Sequence, residues 1–572
     1  MITSEMNLTR RRFVQGLGAV GIGTAIFQPS YATNNIANTE IGTAPVLTGQ
    51  YFELVIDETL VNFTGKPRLA TTINGSIPGP TLRWKQGDTV TIKIKNRLKT
   101  STSIHWHGII LPYQMDGVPG ISFDGIGAGQ EFTYTFKVQQ SGTYWYHSHS
   151  GFQEQTGMYG AIIIDPAEGE SIKADRDYII QLSDWTDEDP MDVFHKLKKQ
   201  SDYFNMHKPT LGDFINEAQQ KGLGQTVKDR QMWNEMRMSP TDLADVSSMT
   251  YTYLMNGQPP AANWTGLFKK GERVRLRFIS SGTQSIFDVR IPGLKMTVVQ
   301  VDGIDVEPVT VDEFRFGSGE TYDVIVMPSS EQAYTIFSQT IGRSGFTRGT
   351  LTPHPEMTAS VPDVDPPQWL TMADMMGAMM HDMTSMDHTM HQAMAANAPV
   401  VRHASTEFGP SVDMRVDTPR TNLDDPGVGL RNNGRKVLTY ADLHSLDRYF
   451  EDKREPKREI ELHLTGNMER YTWSFDGLSF ADSSPIHFRY NERLKVTLHN
   501  DTMMTHPMHL HGMWSDLLDE QQQVINRQHT IMVQPAQRVS FLVTADALGQ
   551  WAWHCHLMYH MKAGMFRQVV VS

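Results

Sequence analysis

The chain has 572 residues, which is too long for one ordinary core and fits three or four domains of the usual size. Its 39% apolar and 20% charged residues, with 45 Gly and 29 Pro, are typical of a turn-rich globular protein and exclude a disordered or fibrous chain. The formal net charge of −13 argues against nucleic acid and anionic lipid as main partners, because both are themselves negatively charged.

The first 32 residues have the three-part order of an export signal. Three arginines at 10–12 are followed by an apolar, Gly-rich stretch at 14–27 and by a motif ending in Ala32 that fits a cleavage site. This order resembles a twin-arginine (Tat-type) signal at 1–32, the alternative being a chance basic start before a buried helix. The resemblance predicts export to the periplasm by the Tat machinery. No later apolar run approaches the roughly 18 residues needed to span a bilayer.

One strand pattern occurs three times along the chain. Apolar and polar residues alternate at 89–96, 273–278 and 493–500, and a turn signal precedes each segment. The repetition predicts an all-β protein in which one β-domain is used three times. We expect the three domains at residues 45–167, 168–351 and 436–572.

Two insertions interrupt the β pattern. Residues from about 187 to 248 contain stretches of helical composition and spacing, and they predict a helical insertion within the second domain. Residues 352–435 are rich in Pro, Asp and Met, and they predict a long linker or lid before the third domain.

Four His-x-His pairs occur where the 22 histidines would give roughly one by chance. The pairs are His105/His107, His147/His149, His509/His511 and His554/His556. Each lies in a predicted strand, where side chains alternate between faces, so both histidines of a pair point the same way. Eight imidazoles can therefore converge on one site. The first and third domains carry the pairs, and we expect the second domain to space them.

Cys555 is the only cysteine, so the chain can form no internal disulfide. A lone cysteine is usually a small buried apolar residue, but this one lies between two histidines. Strand alternation turns its sulfur away from the eight-histidine cluster, which places it in a second metal centre. Two His, one Cys and a weak axial Met form a blue-copper electron-transfer site, and a zinc site would not need the long Met bond.

These motifs resemble the signature of the multicopper oxidases, in order and over nearly the whole chain after the signal. The resemblance implies three cupredoxin-like Greek-key β-sandwiches, with a trinuclear cluster between the first and third domains. It implies four copper ions: one type 1, one type 2 and a type 3 pair. The implied ligands are His506, Cys555, His560 and Met565 for type 1, His105 and His509 for type 2, and His107, His147, His149, His511, His554 and His556 for type 3.

By this resemblance, a reductant gives single electrons to the type 1 copper, and they pass through Cys555 to the trinuclear cluster, where O2 is reduced to water. Proton supply requires a carboxylate or a water chain. Asp116, in Met115-Asp116-Gly117, resembles the family's acid near the cluster, the alternative being an ordinary turn aspartate before glycine. Several bacterial relatives place an acidic residue where this chain has Met561, which leaves the second proton route open.

Nine of the 33 methionines lie between residues 372 and 394 with three histidines. Thioethers prefer Cu(I), and the interleaved polar residues spoil an apolar helix face, so we interpret the segment as an accessory Cu(I) site rather than a packed helix. Its candidate ligands are Met372, Met375, Met376, Met379, Met380, His381, Met383, Met386, His388, Met390, His391 and Met394.

The signal, the helical insertion and the Met-rich linker together resemble the copper-resistance branch of the multicopper oxidases. This implies oxidation of Cu(I) in the periplasm, with O2 as acceptor and with other periplasmic copper-resistance proteins as partners. The alternative within the same class is a laccase that oxidises phenols. The alternative of another class is a copper-sequestering protein, against which the complete ligand set argues.

Overall fold

The computed structural model describes residues 44–377 and 401–572. The Tat-type signal at 1–32 and the accessory ligands from Met379 to Met394 lie outside the described residues. Among the described residues, no helix is both long and apolar enough to cross a membrane.

Nine strands form the first sandwich. They are β1 Val46–Thr48, β2 Tyr51–Val61, β3 Arg68–Ile73, β4 Gly79–Lys85, β5 Thr89–Asn96, β6 His105–His107, β7 Glu131–Lys137, β8 Gly142–His147 and β9 Tyr159–Asp165. A five-stranded sheet has the order β1-β4-β9-β8-β6, and a four-stranded sheet has the order β3-β2-β5-β7. The sheets meet through apolar side chains: Trp84 of β4 packs edge-on against Phe136 of β7 with ring centroids 5.7 Å apart.

Eleven strands form the second sandwich. They are β10 Arg176–Thr186, β11 Tyr251–Met255, β12 Trp264–Leu267, β13 Val274–Ser280, β14 Phe287–Arg290, β15 Met296–Val301, β16 Ile304–Val311, β17 Glu313–Phe316, β18 Thr321–Val326, β19 Tyr334–Thr340 and β20 Phe346–Thr352. Their sheets have the orders β11-β10-β13-β18-β15-β16 and β12-β20-β19-β14-β17.

Eleven more strands form the third sandwich. They are β21 Glu459–Asn467, β22 Thr472–Phe475, β23 Ile486–Phe488, β24 Arg493–Asn500, β25 His506–Leu510, β26 Ser515–Leu518, β27 Val524–Gln528, β28 Thr530–Val533, β29 Arg538–Thr544, β30 Gly549–Cys555 and β31 Phe566–Val571. Their sheets have the orders β22-β21-β24-β29-β26-β27 and β23-β31-β30-β25-β28.

The repeated sequence pattern occupies the same place in each sandwich. It forms β5, β13 and β24, each of which pairs parallel with the first long strand of its sandwich. Each also pairs antiparallel with a later strand, β7, β18 or β29. The predicted all-β fold of three cupredoxin-like sandwiches is therefore confirmed, while the boundary residues of the three domains stay predictions.

Five α-helices lie among the described residues: α1 Pro190–Lys199, α2 Leu211–Lys221, α3 Leu223–Met236, α4 Met372–Met376 and α5 Met558–Lys562. The first three form the helical insertion expected in the second domain. Local capping explains where two of them begin. The Asp189 side chain accepts the Met191 amide at the start of α1, and Thr210 and Asp213 form a reciprocal capping box at the start of α2.

Candidate metal centres

The first centre lies where β25, β30 and α5 meet. His506 Nδ1 and His560 Nδ1 lie 3.5 and 3.7 Å from Cys555 Sγ and 3.1 Å from each other, so three donor atoms face one point. All three residues are fully buried. Met565 is buried beside them, and its backbone carbonyl accepts the Cys555 amide.

Hydrogen bonds fix the orientation of both imidazoles in this centre. His506 Nε2 lies 2.7 Å from Thr502 Oγ1, and His560 Nε2 lies 2.7 Å from Asp245 Oδ2. Gln284 also donates to this Asp245 oxygen. Because the Nε2 atoms are held in this way, both Nδ1 atoms remain free for a metal, which is the usual role of outer hydrogen bonds at metal sites.

Cys555 tests whether this centre fits a metal. Burial raises the pKa of its thiol, and among the described residues no lysine or arginine pairs with the sulfur. A coordinated metal ion supplies the missing positive charge and deprotonates such a thiol. The two imidazoles and the sulfur therefore fit the type 1 ligand set.

The second centre collects the eight histidines of the His-x-His pairs. Strand pairing brings them together: His105 lies opposite His147 across β6 and β8, and His509 lies opposite His554 across β25 and β30. The second members of three pairs lie just past the strand ends; these are His149, His511 and His556. The eight imidazoles therefore converge for three reasons. Side chains alternate along each strand, the strands that carry them pair with one another, and three of the histidines lie just past a strand end.

The imidazoles form three groups of the kind that surrounds single metal ions. His554 Nε2 lies 3.3 Å from His149 Nε2 and 3.0 Å from His511 Nε2. The other two groups each bring their donor nitrogens within 4.8 Å of one another. They are His107 with His147 and His556, and His105 with His107 and His509.

Unpartnered ring nitrogens show that these groups fit metal ions. Among the eight histidines of these groups, five buried ring nitrogens have no hydrogen-bond partner in the part of the chain that the structure describes: His105 Nε2, His107 Nδ1, His147 Nε2, His509 Nε2 and His556 Nε2. Burial, with a smaller contribution from neighbouring imidazoles, lowers the pKa of His107, His509 and His511 well below the usual value. Neutral imidazoles with free nitrogens are the form that binds a metal.

Asp116 bridges two of these histidines. Its Oδ2 lies 2.9 Å from His511 Nδ1, and its backbone carbonyl lies 2.7 Å from His105 Nδ1. It also ends a short 3-10 helix before Gly117, whose φ of +82° and contact with the Ile104 carbonyl leave no room for a side chain. Asp116 is thus both a turn residue and a partner of the cluster.

Three further contacts come from residues that sequence reasoning did not single out. Glu154 Oε2 lies 2.8 Å from His147 Nδ1, and Ser318 Oγ lies 2.8 Å from His556 Nδ1. Asp245 holds His560, as described above. Ser318 and Asp245 belong to the second domain, so that domain also contacts the metal centres and does more than space the other two. No motif marks these residues, because only the fold brings them to the histidines.

The described end of the Met-rich segment is partly a packing element. Met375 of α4 is fully buried, Met372 packs against the core, and Met376 is 43% exposed. The Asp374 side chain accepts a hydrogen bond from Arg431 and caps the helix together with Thr371. These contacts indicate that Met375 serves the core, while Met372 and Met376 are the more accessible of the three.

Comparisons with known proteins agree with this geometry. Three family models described as multicopper oxidase match residues 55–169, 176–354 and 453–572. Copper resistance protein A from Escherichia coli is 54% identical over 99% of this chain and 100% of its own length. A homologue from Pseudomonas syringae pv. tomato is 55% identical over 99% of both chains.

Solved structures share the fold at lower sequence identity. A multicopper oxidase from Pseudomonas thermotolerans has a TM-score of 0.57 and 19% identity, with 92% of this chain and all of that chain covered. Laccase from Botrytis aclada has a TM-score of 0.61 and 20% identity, with 93% and 89% covered. From the three family models and the full-length relatives, we conclude that this chain is an enzyme of the multicopper oxidase family, in its copper-resistance protein A branch.

Proposed function

We propose that the enzyme oxidises Cu(I) to Cu(II) in the periplasm as part of copper resistance. Four Cu(I) ions each lose one electron, and one O2 takes up four electrons and four protons to give two waters. The names of the full-length relatives and the methionine content of residues 372–394 support copper as the substrate.

We assign the copper ligands from the three histidine groups of the second centre and from the centre that contains Cys555. They are His506, Cys555, His560 and Met565 for type 1, His105 and His509 for type 2, and His107, His147, His149, His511, His554 and His556 for type 3. Bound copper would supply one-electron transfer and the reduction of O2. The chain joins the two centres covalently, because Cys555 lies between His554 and His556. Asp116 orients His511 and is placed to hold a proton beside the cluster.

The cysteine centre is closed to direct contact with a substrate. His506 and His560 have 0% exposure, so neither a phenol nor a copper ion in solvent touches either imidazole. The side of His560 that faces the helical insertion is closed by Asp245. Electrons from a substrate therefore enter through side chains that cover the centre.

A cavity of about 1390 Å³ lies between the insertion and the start of the linker. Four methionines line it: Met232, Met238, Met372 and Met468. Asp242, three residues before Asp245, also lines it. The lining also carries four further carboxylates and five Lys or Arg side chains. The thioethers are the donors that prefer Cu(I), and this observation carries the choice of Cu(I) over a phenol.

The test is O2 consumption by the four-copper enzyme with Cu(I) and with a phenol, compared as kcat/KM. We expect Cu(I) to be the better substrate, and Met238→Leu together with Met468→Leu to lower kcat/KM for Cu(I) alone. Leucine preserves volume at a cost below about 1.5 kcal/mol, so folding should be retained. A higher kcat/KM for the phenol, unaffected by the two variants, would favour the laccase alternative.

Cys555→Ser separates an oxidase from a copper store. We expect this variant to lose the intense blue band and turnover while keeping the coppers of the histidine cluster, since only the first centre loses a ligand. If the wild-type enzyme holds all four coppers yet consumes no O2 with either substrate, the sequestration alternative is favoured.

A further inference from the structure

A third group of metal-binding side chains lies apart from both centres. His403 and Glu407 belong to the segment that follows residue 401, His463 belongs to β21, and Asp501 directly follows β24. Their side chains are at most 7% exposed. None of the four is among the twelve proposed copper ligands.

Four donor atoms of this group form a closed ring. His403 Nδ1 lies 2.7 Å from Glu407 Oε2 and 3.6 Å from Asp501 Oδ2. His463 Nδ1 lies 2.7 Å from Asp501 Oδ2 and 3.5 Å from Glu407 Oε2. Neighbouring ligands of a tetrahedral ion with bonds of about 2.0–2.1 Å stand about 3.3 Å apart. The four distances bracket that spacing, so a small shift of the side chains would place an ion among them.

Backbone amides orient both carboxylates toward the centre of the ring. The second oxygen of Glu407 accepts the Ala404 amide at 2.9 Å, and the second oxygen of Asp501 accepts the Val416 amide at 3.0 Å. Each carboxylate is therefore left with one oxygen that faces the two imidazoles. Outer hydrogen bonds of this kind are typical of built metal sites.

The charge of the group calls for a cation. Among the described residues, no arginine or lysine side chain forms an ion pair with Glu407 or Asp501. Two buried carboxylates without a compensating charge are costly, and they are normally paired or bound to a metal. One divalent ion with two neutral imidazoles balances the site. The competing explanation is that both histidines are protonated and form two ion pairs.

We propose that His403, Glu407, His463 and Asp501 bind an additional divalent transition-metal ion that fastens the 403–416 segment to the third sandwich. Two imidazoles and two carboxylates suit a borderline ion such as Zn(II) or Cu(II), whereas Cu(I) prefers sulfur. Cu(II) should bind more tightly than Zn(II) at the same donors. The site takes no part in electron transfer, so it stands independently of the proposed function.

The experiment uses the full chain with its catalytic coppers loaded. The metal content is measured before and after a wash with EDTA, and the washed enzyme is titrated with Co(II) as an optical probe and with Zn(II) in a calorimeter. We expect one equivalent to bind, with Co(II) bands of a nitrogen and oxygen site that lack sulfur charge transfer. Cu(II) should displace the bound Co(II), and Zn(II) should raise the melting temperature.

Paired variants assign the site. His403→Gln combined with His463→Gln should weaken Zn(II) binding by about 100-fold or more, since two ligands are lost. His487→Gln changes an exposed histidine of the same sandwich and should leave binding within about twofold of wild type. Both proteins should keep the blue band, because no catalytic copper ligand is changed.

Two results would overturn the proposal. One is a wild-type enzyme that holds no ion beyond its catalytic coppers as purified and takes up neither Co(II) nor Zn(II) after the wash, which would establish the ion-pair explanation. The other is equal Zn(II) binding by wild type and the double variant. If the double variant fails to fold, the wild-type Co(II) spectrum alone decides, because sulfur charge-transfer bands would place the ion at methionines instead.

Discussion

Asp116 contacts two histidines that we assign to different coppers. Its backbone carbonyl contacts His105 of type 2, and its carboxylate contacts His511 of type 3. We expect Asp116→Asn to slow the O2-dependent reoxidation of the enzyme by about 100-fold, the scale of a lost general acid. Reduction of the blue centre by substrate should change by less than about twofold, because Asp116 touches none of its ligands. Stopped-flow measurement of the two half-reactions checks this.

Asp124→Asn is the matched control for Asp116, since it removes an exposed carboxylate from the same loop. It should leave both half-reactions unchanged. Equal slowing of reduction and reoxidation in Asp116→Asn would reduce the role of Asp116 to the turn that it forms before Gly117.

Asp245 should tune the blue centre through His560. A carboxylate bonded to the outer nitrogen of a ligating imidazole makes that ligand more basic, which favours Cu(II) over Cu(I). Asp245→Asn should weaken Cu(II) binding about tenfold relative to Cu(I), and this corresponds to a reduction potential about 60 mV higher. Redox titration of the blue band measures the shift. Asp192→Asn, an exposed change on the same insertion, should leave the potential unchanged.

Some residues of the metal centres have a local sequence pattern, and others do not. His-x-His spacing and the position of Cys555 are local patterns, so the twelve candidate ligands could be singled out, and the structure brings the eleven His and Cys residues together with their donor atoms facing common points. Asp245 and Glu154 could not be singled out. Each lies in a segment without a motif, and its role arises only because the fold places it beside a histidine.

At the scale of elements, repeated alternation predicted strands in equivalent positions because strand formation depends on near neighbours in the chain. The path of residues 401–435 was not predictable in the same way. This segment has no repeating pattern, and it is held by scattered backbone and side-chain contacts to distant strands. One example is the Asp413 carboxylate, which accepts the Met468 amide at 2.7 Å just after β21.

The Asp413 anchor should make stability depend on pH. Burial raises the pKa of Asp413 to about 7, whereas an unfolded aspartate titrates near 3.9. Between these values the native state binds more protons than the unfolded state, so the free energy of unfolding falls as pH rises through this window. The loss is at most about 4 kcal/mol, since each pH unit counts for about 1.4 kcal/mol.

Asp413→Asn keeps an acceptor for the Met468 amide but carries no charge. We therefore expect the variant to be more stable than wild type at pH 8, with a smaller difference at pH 5. Melting temperatures of the copper-loaded proteins at both pH values measure this, with Asp424→Asn as an exposed control in the same segment. A difference that does not depend on pH would show that Asp413 is already ionised in the native protein near pH 5.

At the scale of the whole molecule, all three sandwiches meet at the metal centres. His149 of the first lies 3.3 Å from His554 of the third, and Ser318 of the second lies 2.8 Å from His556. The sequence predicted the pairing of the first and third domains, because both carry His-x-His motifs. For the second domain it predicted only a spacing role, because a serine or an aspartate that orients a metal ligand has no sequence motif of its own.

The methionines of the linker decide between substrates, because they supply none of the twelve proposed copper ligands. The variant to build changes Met379, Met380, Met383, Met386, Met390 and Met394 to Leu and leaves α4 intact, since Met375 is buried in the core. Leucine keeps the apolar surface and removes only the thioether. If the segment captures Cu(I), kcat/KM for Cu(I) should fall by roughly tenfold, the effect of losing about 1.4 kcal/mol of productive binding.

The same variant should oxidise a phenol as fast as wild type and keep its blue band, because neither depends on thioethers outside the metal centres. Met327→Leu, a single change at a methionine that is 57% exposed and lies outside the Met-rich segment, serves as the matched control for an altered surface. Unchanged Cu(I) kinetics combined with slower phenol oxidation would contradict the copper-resistance proposal and favour the laccase alternative. Unchanged kinetics with both substrates would restrict Cu(I) capture to the methionines that line the cavity beside the helical insertion.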